Sequence, residues 1–250
     1  MEHQGLNLPN ALFDQLARYP GRFAQPVFFA DPAAEGHAAF KNGSGFFVSL
    51  PERTVAVTCH HVLADYRNKR GPFLSASFQF GGVRFEPEGR LVAESKQLDL
   101  AILDVTSLVS APDGIDPAWC IVPSTWPPGE VSTDDILALA GFPGIGRQHF
   151  TPDYFRFHLL SAGTTEVASL GSAHVVTRLE LEKCISSGVL PEVTEDLGGM
   201  SGGPVFVWRK GSLVTAELIG AIYEYQPTLD LLYVRRLSCI RPDGILESLA

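Results

Sequence analysis

The sequence predicts an all-β protein made of two antiparallel barrels or sandwiches. Three observations point that way. Glycine and proline are abundant, 24 and 18 of 250 residues, more than a helical bundle tolerates. Short apolar or period-two segments recur on both sides of a break in texture. The break itself, residues 106–134, holds Pro112, Pro117, Pro123, Pro127 and Pro128 and reads as a connector between two halves. With 45% hydrophobic and 19% charged residues the balance is that of a globular chain, which excludes disorder as the dominant state.

The elements follow in chain order. Residues 8–19, LPNALFDQLARY, place Leu12, Phe13, Leu16 and Tyr19 at helical spacing, so a short helix packs on the outside of what comes next. GFFVS, TVAVTC, SASFQF, VRFE, RLVAE and LDLAILDV read as strands up to residue 105. Gly81-Gly82, between SFQF and VRFE, is a two-residue hairpin signal because both positions accept positive φ. After the Pro-rich stretch, DILALAG, YFRFHLLS, AHVVTRLELE, PVFVW, LVTAELIGAIYEY and LLYVRRL supply a second set. The end, PDGILESLA, reads as a short helix with Ile245, Leu246 and Leu249 on one face. The implied divisions are a helical extension over 1–25, a first barrel over 26–110, a linker over 111–134, and a second barrel with the terminal helix over 135–250.

Composition narrows the function classes. The net charge of −9, with no basic cluster, argues against nucleic acid and against an anionic membrane surface. The amino terminus lacks a cationic start followed by an apolar core, and no apolar run reaches the ~18–20 residues that cross a bilayer, so a cytoplasmic protein is expected. Cys59, Cys120, Cys184 and Cys239 are scattered without a CxxC pair, as reduced buried thiols are, so neither a disulfide frame nor a metal site is expected.

The sharpest chemical signal is Gly198-Gly199-Met200-Ser201-Gly202-Gly203-Pro204 before the strand VFVW. A serine between glycines has an exposed hydroxyl and backbone N–H groups free to face a site, which acyl transfer needs for its oxyanion. The bland alternative is a Gly-rich turn feeding a strand. GMSGG also satisfies the G-x-S-x-G elbow of α/β-hydrolases, but those enzymes place a histidine after the serine. Here His3, His37, His60, His61, His149, His158 and His174 all precede Ser201, so that reading fails. Upstream, His60-His61 ends the apolar run VTCHHVL, and Asp99 opens an otherwise apolar strand, where a carboxylate needs a hydrogen-bond partner such as an imidazole. Gly141-Phe142-Pro143-Gly144-Ile145-Gly146 mimics a dinucleotide loop, yet no helical period follows it and Pro143 removes an N–H from the would-be cradle.

These segments together resemble the trypsin-like, chymotrypsin-fold serine peptidases. VTCHHVL looks like their VTAAHVL, LDLAIL like DLALL, and GMSGGPVF like GNSGGPL, while GSGFFV and ILALAGFPGIG are closest in style to bacterial HtrA-type peptidase domains. The resemblance implies two six-stranded antiparallel β-barrels with the site in the cleft between them and no cofactor. It implies His61 as general base, Asp99 as the acid that fixes its tautomer, Ser201 as nucleophile, and the N–H groups of Gly199 and Ser201 as oxyanion hole. His60 occupies a position that is usually small and is a bystander.

Met200 stands where the secreted branch has an aspartate that pairs with a cleaved amino terminus, so the oxyanion loop is either preformed or ordered by a partner or ligand. Glu195 falls at the base of the pocket for the side chain before the scissile bond and attracts a basic residue. Tyr223 and Tyr225, from the strand walling that pocket, favour a small one. The expected activity is a serine endopeptidase acting on a dedicated protein partner. The alternatives are a protease-fold binding or regulatory module with a blocked site, and an esterase using the same triad.

Overall fold

A computed structural model describes residues 10–30, 40–70, 78–151, 154–188 and 197–247. The chain opens with helix α1 (Asn10–Arg18) and continues through β1 (Gln25–Ala30), β2 (Phe40–Ser49) and β3 (Thr54–Thr58) into helix α2 (His60–Arg70). Then come β4 (Gln79–Phe80), β5 (Val83–Arg84), β6 (Leu91–Ser95), β7 (Leu100–Asp104) and β8 (Cys120–Ile121). The second half holds β9 (Ile136–Gly141), β10 (Arg147–Thr151), β11 (Tyr154–Phe157), β12 (Leu160–Leu170), β13 (His174–Arg178) and β14 (Ile185–Ser186). It ends with β15 (Pro204–Lys210), β16 (Val214–Gln226) and β17 (Leu231–Arg236).

The two halves close differently. In the second, β13-β17-β16-β15-β9-β12 run side by side, and a β12–β13 pairing completes a six-stranded barrel. The first is a curled sheet in the order β5-β4-β1-β2-β3-β7-β6, with β8 paired parallel to β2. The all-β, two-barrel expectation therefore holds, with one barrel closed and the other a half-barrel. Phe80 pairs with Val83 across Gly81-Gly82, where Gly81 takes a φ of 60°, so the hairpin forms as its glycines require.

Burial explains why so many strands read as unbroken apolar runs. Phe47, Ala56, Ala101 and Leu103 point into the core of the first sheet. Their neighbours Phe46, Val48, Val57, Leu100 and Ile102 pack instead against Ala138, Phe206, Trp208 and Leu218 of the second half. Leu137, Leu139, Val205 and Val207 fill the second barrel. The central strands are thus covered on both faces, the arrangement that removes polar alternation from a sequence. Leu16 and Tyr19 join the middle layer, and the Tyr19 ring lies 5.4 Å from those of both Phe206 and Trp208, which docks α1. Leu12 and Phe13 lie on side chains outside the described set.

Two local expectations are corrected. The run after Cys59 is helix rather than strand end: Val62, Leu63 and Tyr66 share one buried face of α2, and Arg67 holds the helix to Glu88 and Glu94 at 2.6 Å each. The terminal helix is absent from residues 240–247. Asp243 Oδ1 accepts from the Ile245 N–H, Gly244 turns at a φ of 81°, and Ile240 bridges Leu246, so Asp-Gly turn chemistry overrides the helical spacing. Among the described residues no helix is long and apolar enough to cross a membrane.

Candidate active site

β3 runs into Cys59, and α2 begins at once, bringing His61 into its first turn. Asp99 closes the turn before β7 in the left-handed region, φ 52°, a conformation that aspartate tolerates better than most residues. Its carboxylate grips His61 twice. Oδ1 accepts from the His61 backbone N–H at 3.0 Å, and Oδ2 lies 2.7 Å from Nδ1. A carboxylate on Nδ1 keeps the proton there and leaves Nε2 with its lone pair. The hydrogen bond to Asp99 raises the imidazole pKa above its ordinary value against the opposing effect of burial. Burial works to raise the Asp99 pKa, but the hydrogen bond and charge of His61 outweigh it and hold the carboxyl below its ordinary value.

Ser201 sits in a turn whose carbonyls from Leu197 to Ser201 are all engaged. Leu197 C=O accepts from Met200 N–H at 3.1 Å, Gly198 C=O from Gly144 N–H at 2.6 Å, and Met200 C=O from Gly203 N–H at 2.9 Å. Gly199 C=O accepts from Ser44 Oγ at 2.7 Å, and Ser201 C=O from Ser44 N–H at 2.8 Å. The N–H groups of Gly199 and Ser201 donate to no acceptor among the described residues. Met200 is buried in the second barrel core, 1% exposed.

One carbonyl ties these pieces together. Ile222 C=O accepts both the Cys59 thiol, at 3.2 Å, and the Gly202 N–H, at 2.6 Å, so the chain next to His61 and the chain next to Ser201 meet on a single acceptor. Ser201 Oγ itself donates to the Tyr223 carbonyl at 3.4 Å, and among the described residues no hydrogen bond joins it to His61. His60 lies with Nδ1 3.4 Å from the Glu94 carboxylate, outside this arrangement. The ligand atoms of Cys59, His61 and Asp99 lie within 4.8 Å of one another, close enough to be weighed as a metal set. Burial first, and then the Asp99 charge, push the Cys59 thiol well above its ordinary pKa, and the thiol is engaged on the Ile222 carbonyl.

A sequence profile described as the trypsin-like peptidase domain matches residues 43–215. The chain belongs to the trypsin-like peptidase family. His61, Asp99 and Ser201 of this family member all fall inside the matched span. A search of curated proteins returned no match. Among solved structures it is similar to the thermostable serine protease AL20 from an extremophilic microorganism (14% identity, 86% of this chain, 91% of that one, TM-score 0.45). It is also similar to the protease Anisep from Arthrobacter nicotinovorans (16%, 86% and 90%, 0.44) and to the tobacco vein mottling virus protease (9%, 85% and 76%, 0.44).

Beside Ser201 this peptidase domain has a pocket of about 250 Å³, lined by Leu197, Gly198, Met200, Ile222, Glu224, Tyr225 and Pro227. Tyr225 is therefore at the pocket, its hydroxyl 3.3 Å from Asp230 Oδ1. Tyr223 is not among the lining residues; its ring lies under the Arg235 guanidinium, 4.5 Å from the ring centre, and only its carbonyl meets Ser201. Glu195 lies outside the described residues. A larger groove of about 1070 Å³ runs between α1 and the start of β16, and His61, Asp99 and Ser201 are not among its lining residues. Sequence reasoning missed Asn42 and Ser44, whose side chains reach across to the Ser201 turn and its neighbouring loop. The GSGFFV segment marked the position of Ser44 without showing its contact, which joins residues 155 positions apart.

Proposed function

We propose that the chain is a serine endopeptidase with Ser201 as nucleophile, His61 as general base and Asp99 as its orienting acid. The observation that carries this reading is the double grip of Asp99 on His61, because it fixes both the ring and the tautomer that leaves Nε2 basic. In the reaction Ser201 Oγ exchanges its Tyr223 carbonyl partner for Nε2 and attacks the peptide carbonyl as His61 takes its proton. The tetrahedral oxyanion is met by the N–H groups of Gly199 and Ser201, which donate to no acceptor among the described residues. Asp99 stabilises the imidazolium, which returns the proton to the leaving amine, and water then hydrolyses the acyl-enzyme by the same route in reverse.

Leu197, Met200, Ile222 and Pro227 make the pocket beside Ser201 largely apolar, with Glu224 as its charged contribution and Tyr225 limiting its depth. Tyr225 favours a small preceding side chain in the substrate, whereas Glu224 together with Glu195 favours a basic one, and the basic preference is the one proposed. A protein or peptide substrate, a dedicated partner and a cytoplasmic setting belong to this proposal.

A second reading, a protease-fold binding module, is favoured by one observation: Ser201 Oγ is bonded to a carbonyl and not to His61. An esterase would use the same groups. Covalent labelling with a fluorophosphonate, read by intact mass, separates the first two. One adduct on the wild type and none on Ser201→Ala supports the peptidase; no adduct on a folded wild type sinks it. Paired amide and ester substrates then separate the peptidase from the esterase.

A further inference from the structure

We infer that Asn42 and Ser44, from β2 of the first sheet, are positioning residues that hold the turn before Ser201 in its donor-out form, so that the oxyanion hole stands formed without an activating event. The inference rests on the peptidase reading for its consequence, but the geometry stands apart from it. Met200 N–H to Leu197 C=O closes a four-residue turn, and Gly199, its third residue, has a φ of 101°. A positive φ at that position belongs to a type II turn; in type I it is negative and the middle peptide is turned over. The middle peptide here is Gly198–Gly199. In the observed form its N–H points away from the held Gly198 carbonyl and donates to no acceptor among the described residues. In the other, the Gly198 carbonyl would occupy that direction and repel an oxyanion.

What selects the form is a chain of contacts from outside the turn. Gly144 N–H holds the Gly198 carbonyl at 2.6 Å, and a trans peptide puts its N–H on the opposite side. Gly144 is itself placed by the loop from Phe142, a residue that the first sheet grips through both its N–H and its C=O. Asn42 Nδ2 donates to the Phe142 carbonyl at 2.9 Å, and Ser44 Oγ accepts from the Phe142 N–H at 2.8 Å. The same Ser44 hydroxyl donates to Gly199 C=O at 2.7 Å, one peptide beyond the critical one. Arg147 Nη1 donates to Asn42 Oδ1 at 3.0 Å, which settles which end of the amide faces Phe142. Ser44 is fully buried, so no water competes for its hydroxyl.

The fit leaves no slack. A Cβ on Gly199 would stand 2.4 Å from Asn42 Nδ2 and 2.7 Å from the Phe142 carbonyl. With Met200 buried, no charged group of the turn waits for a partner to order it. The turn is held by neutral hydrogen bonds between the halves, present as soon as the chain is folded.

The test uses Ser44→Ala and, as a second variant should that one fold poorly, Asn42→Ala. Crystal structures of wild type and variant read the turn directly, and the latch requires Gly199 to leave positive φ, or to show both forms, when either side chain is removed. On a peptide substrate the variants are expected to lose tenfold or more in kcat, up to the ~10²–10³ that one missing oxyanion donor costs, with KM within twofold. Affinity for a peptide aldehyde, whose adduct needs the hole, falls in parallel, while affinity for a non-reactive peptide of the same sequence holds. An unchanged Gly199 turn in both variants overturns the latch whatever the rates do. A wild type that holds the turn yet takes no fluorophosphonate leaves the latch standing and overturns the peptidase reading instead.

Discussion

Replacing Asp99 with asparagine tests the proposed chemistry through a geometric dilemma. Asp99 Oδ1 accepts from the His61 backbone N–H at 3.0 Å, and that donor stays in place whatever the residue. The asparagine oxygen must therefore take the Oδ1 position, since an NH₂ group there would face an N–H. That leaves the NH₂ group against Nδ1, where Oδ2 now sits at 2.7 Å. Nδ1 becomes an acceptor, the ring proton moves to Nε2, and the base is lost without disturbing a heavy atom.

The expected fall in kcat/KM is about 10⁴-fold, or about 5 kcal/mol of transition-state stabilisation. Asparagine also accepts the left-handed backbone that position 99 adopts, φ 52°, so the variant should fold. The assay is initial rates on a fluorogenic peptide for wild type and Asp99→Asn at neutral pH, with thermal unfolding as control. A folded variant within tenfold of wild type would refute the assigned roles of Asp99 and His61.

Other outcomes follow from the same structure. The raised His61 pKa places the rising limb of kcat/KM above pH 6.5, since activity needs the neutral ring; a limb at or below that value contradicts the Asp99 contact. For stability, the His61 contribution is fully present below its unfolded pKa and fades as pH rises through the higher folded one. That of Asp99, with its lowered pKa, is present above its unfolded pKa and fades as pH falls, so urea midpoints should drop on the acid side. Gly202→Ala puts a Cβ 2.0 Å from the Ser44 carbonyl at a φ of 93°, and should cost at least about 2 kcal/mol, lowering Tm by roughly 4–8 °C. Gly163→Ala would bring a Cβ within 2.4 Å of the Ala17 backbone nitrogen, so limited proteolysis should release α1 sooner than in wild type. Tyr225→Gly should shift preference toward longer side chains at the pocket, read as kcat/KM across a peptide series; an unchanged order would remove Tyr225 from specificity.

Local chemistry was legible in the sequence where it depends on neighbours in the chain. The Gly-flanked serine, the histidine after an apolar run and the lone aspartate before a strand each announced themselves, because each breaks the pattern around it. Elements that depend on distant packing did not. β1 went unread because Pro26 masks a strand whose partner β2 begins only at Phe40. β12 hid in SAGTTEVASL, where small and polar residues are buried by the barrel and by α1, and Gly163 is needed only because Ala17 approaches it. α2 looked like the end of a strand because Cys59 and Val62-Leu63 are apolar in sequence, while the face that Tyr66 shares with them appears only on winding the helix. Asp243-Gly244 was a turn signal set against a helical period, and at the chain end the turn won. Glu195 alone among the proposed site residues falls outside the described structure.

Residue 44 touches the Ser201 turn through both its hydroxyl and its backbone N–H, from a strand of the other half. The shape of the reactive loop is therefore a property of the seam and not of the half that carries the nucleophile. A small molecule wedged at that seam, away from the substrate's path, would lower turnover without competing with substrate. Damage at the seam by mutation or oxidation would look, in a rate assay, like damage to the nucleophile itself.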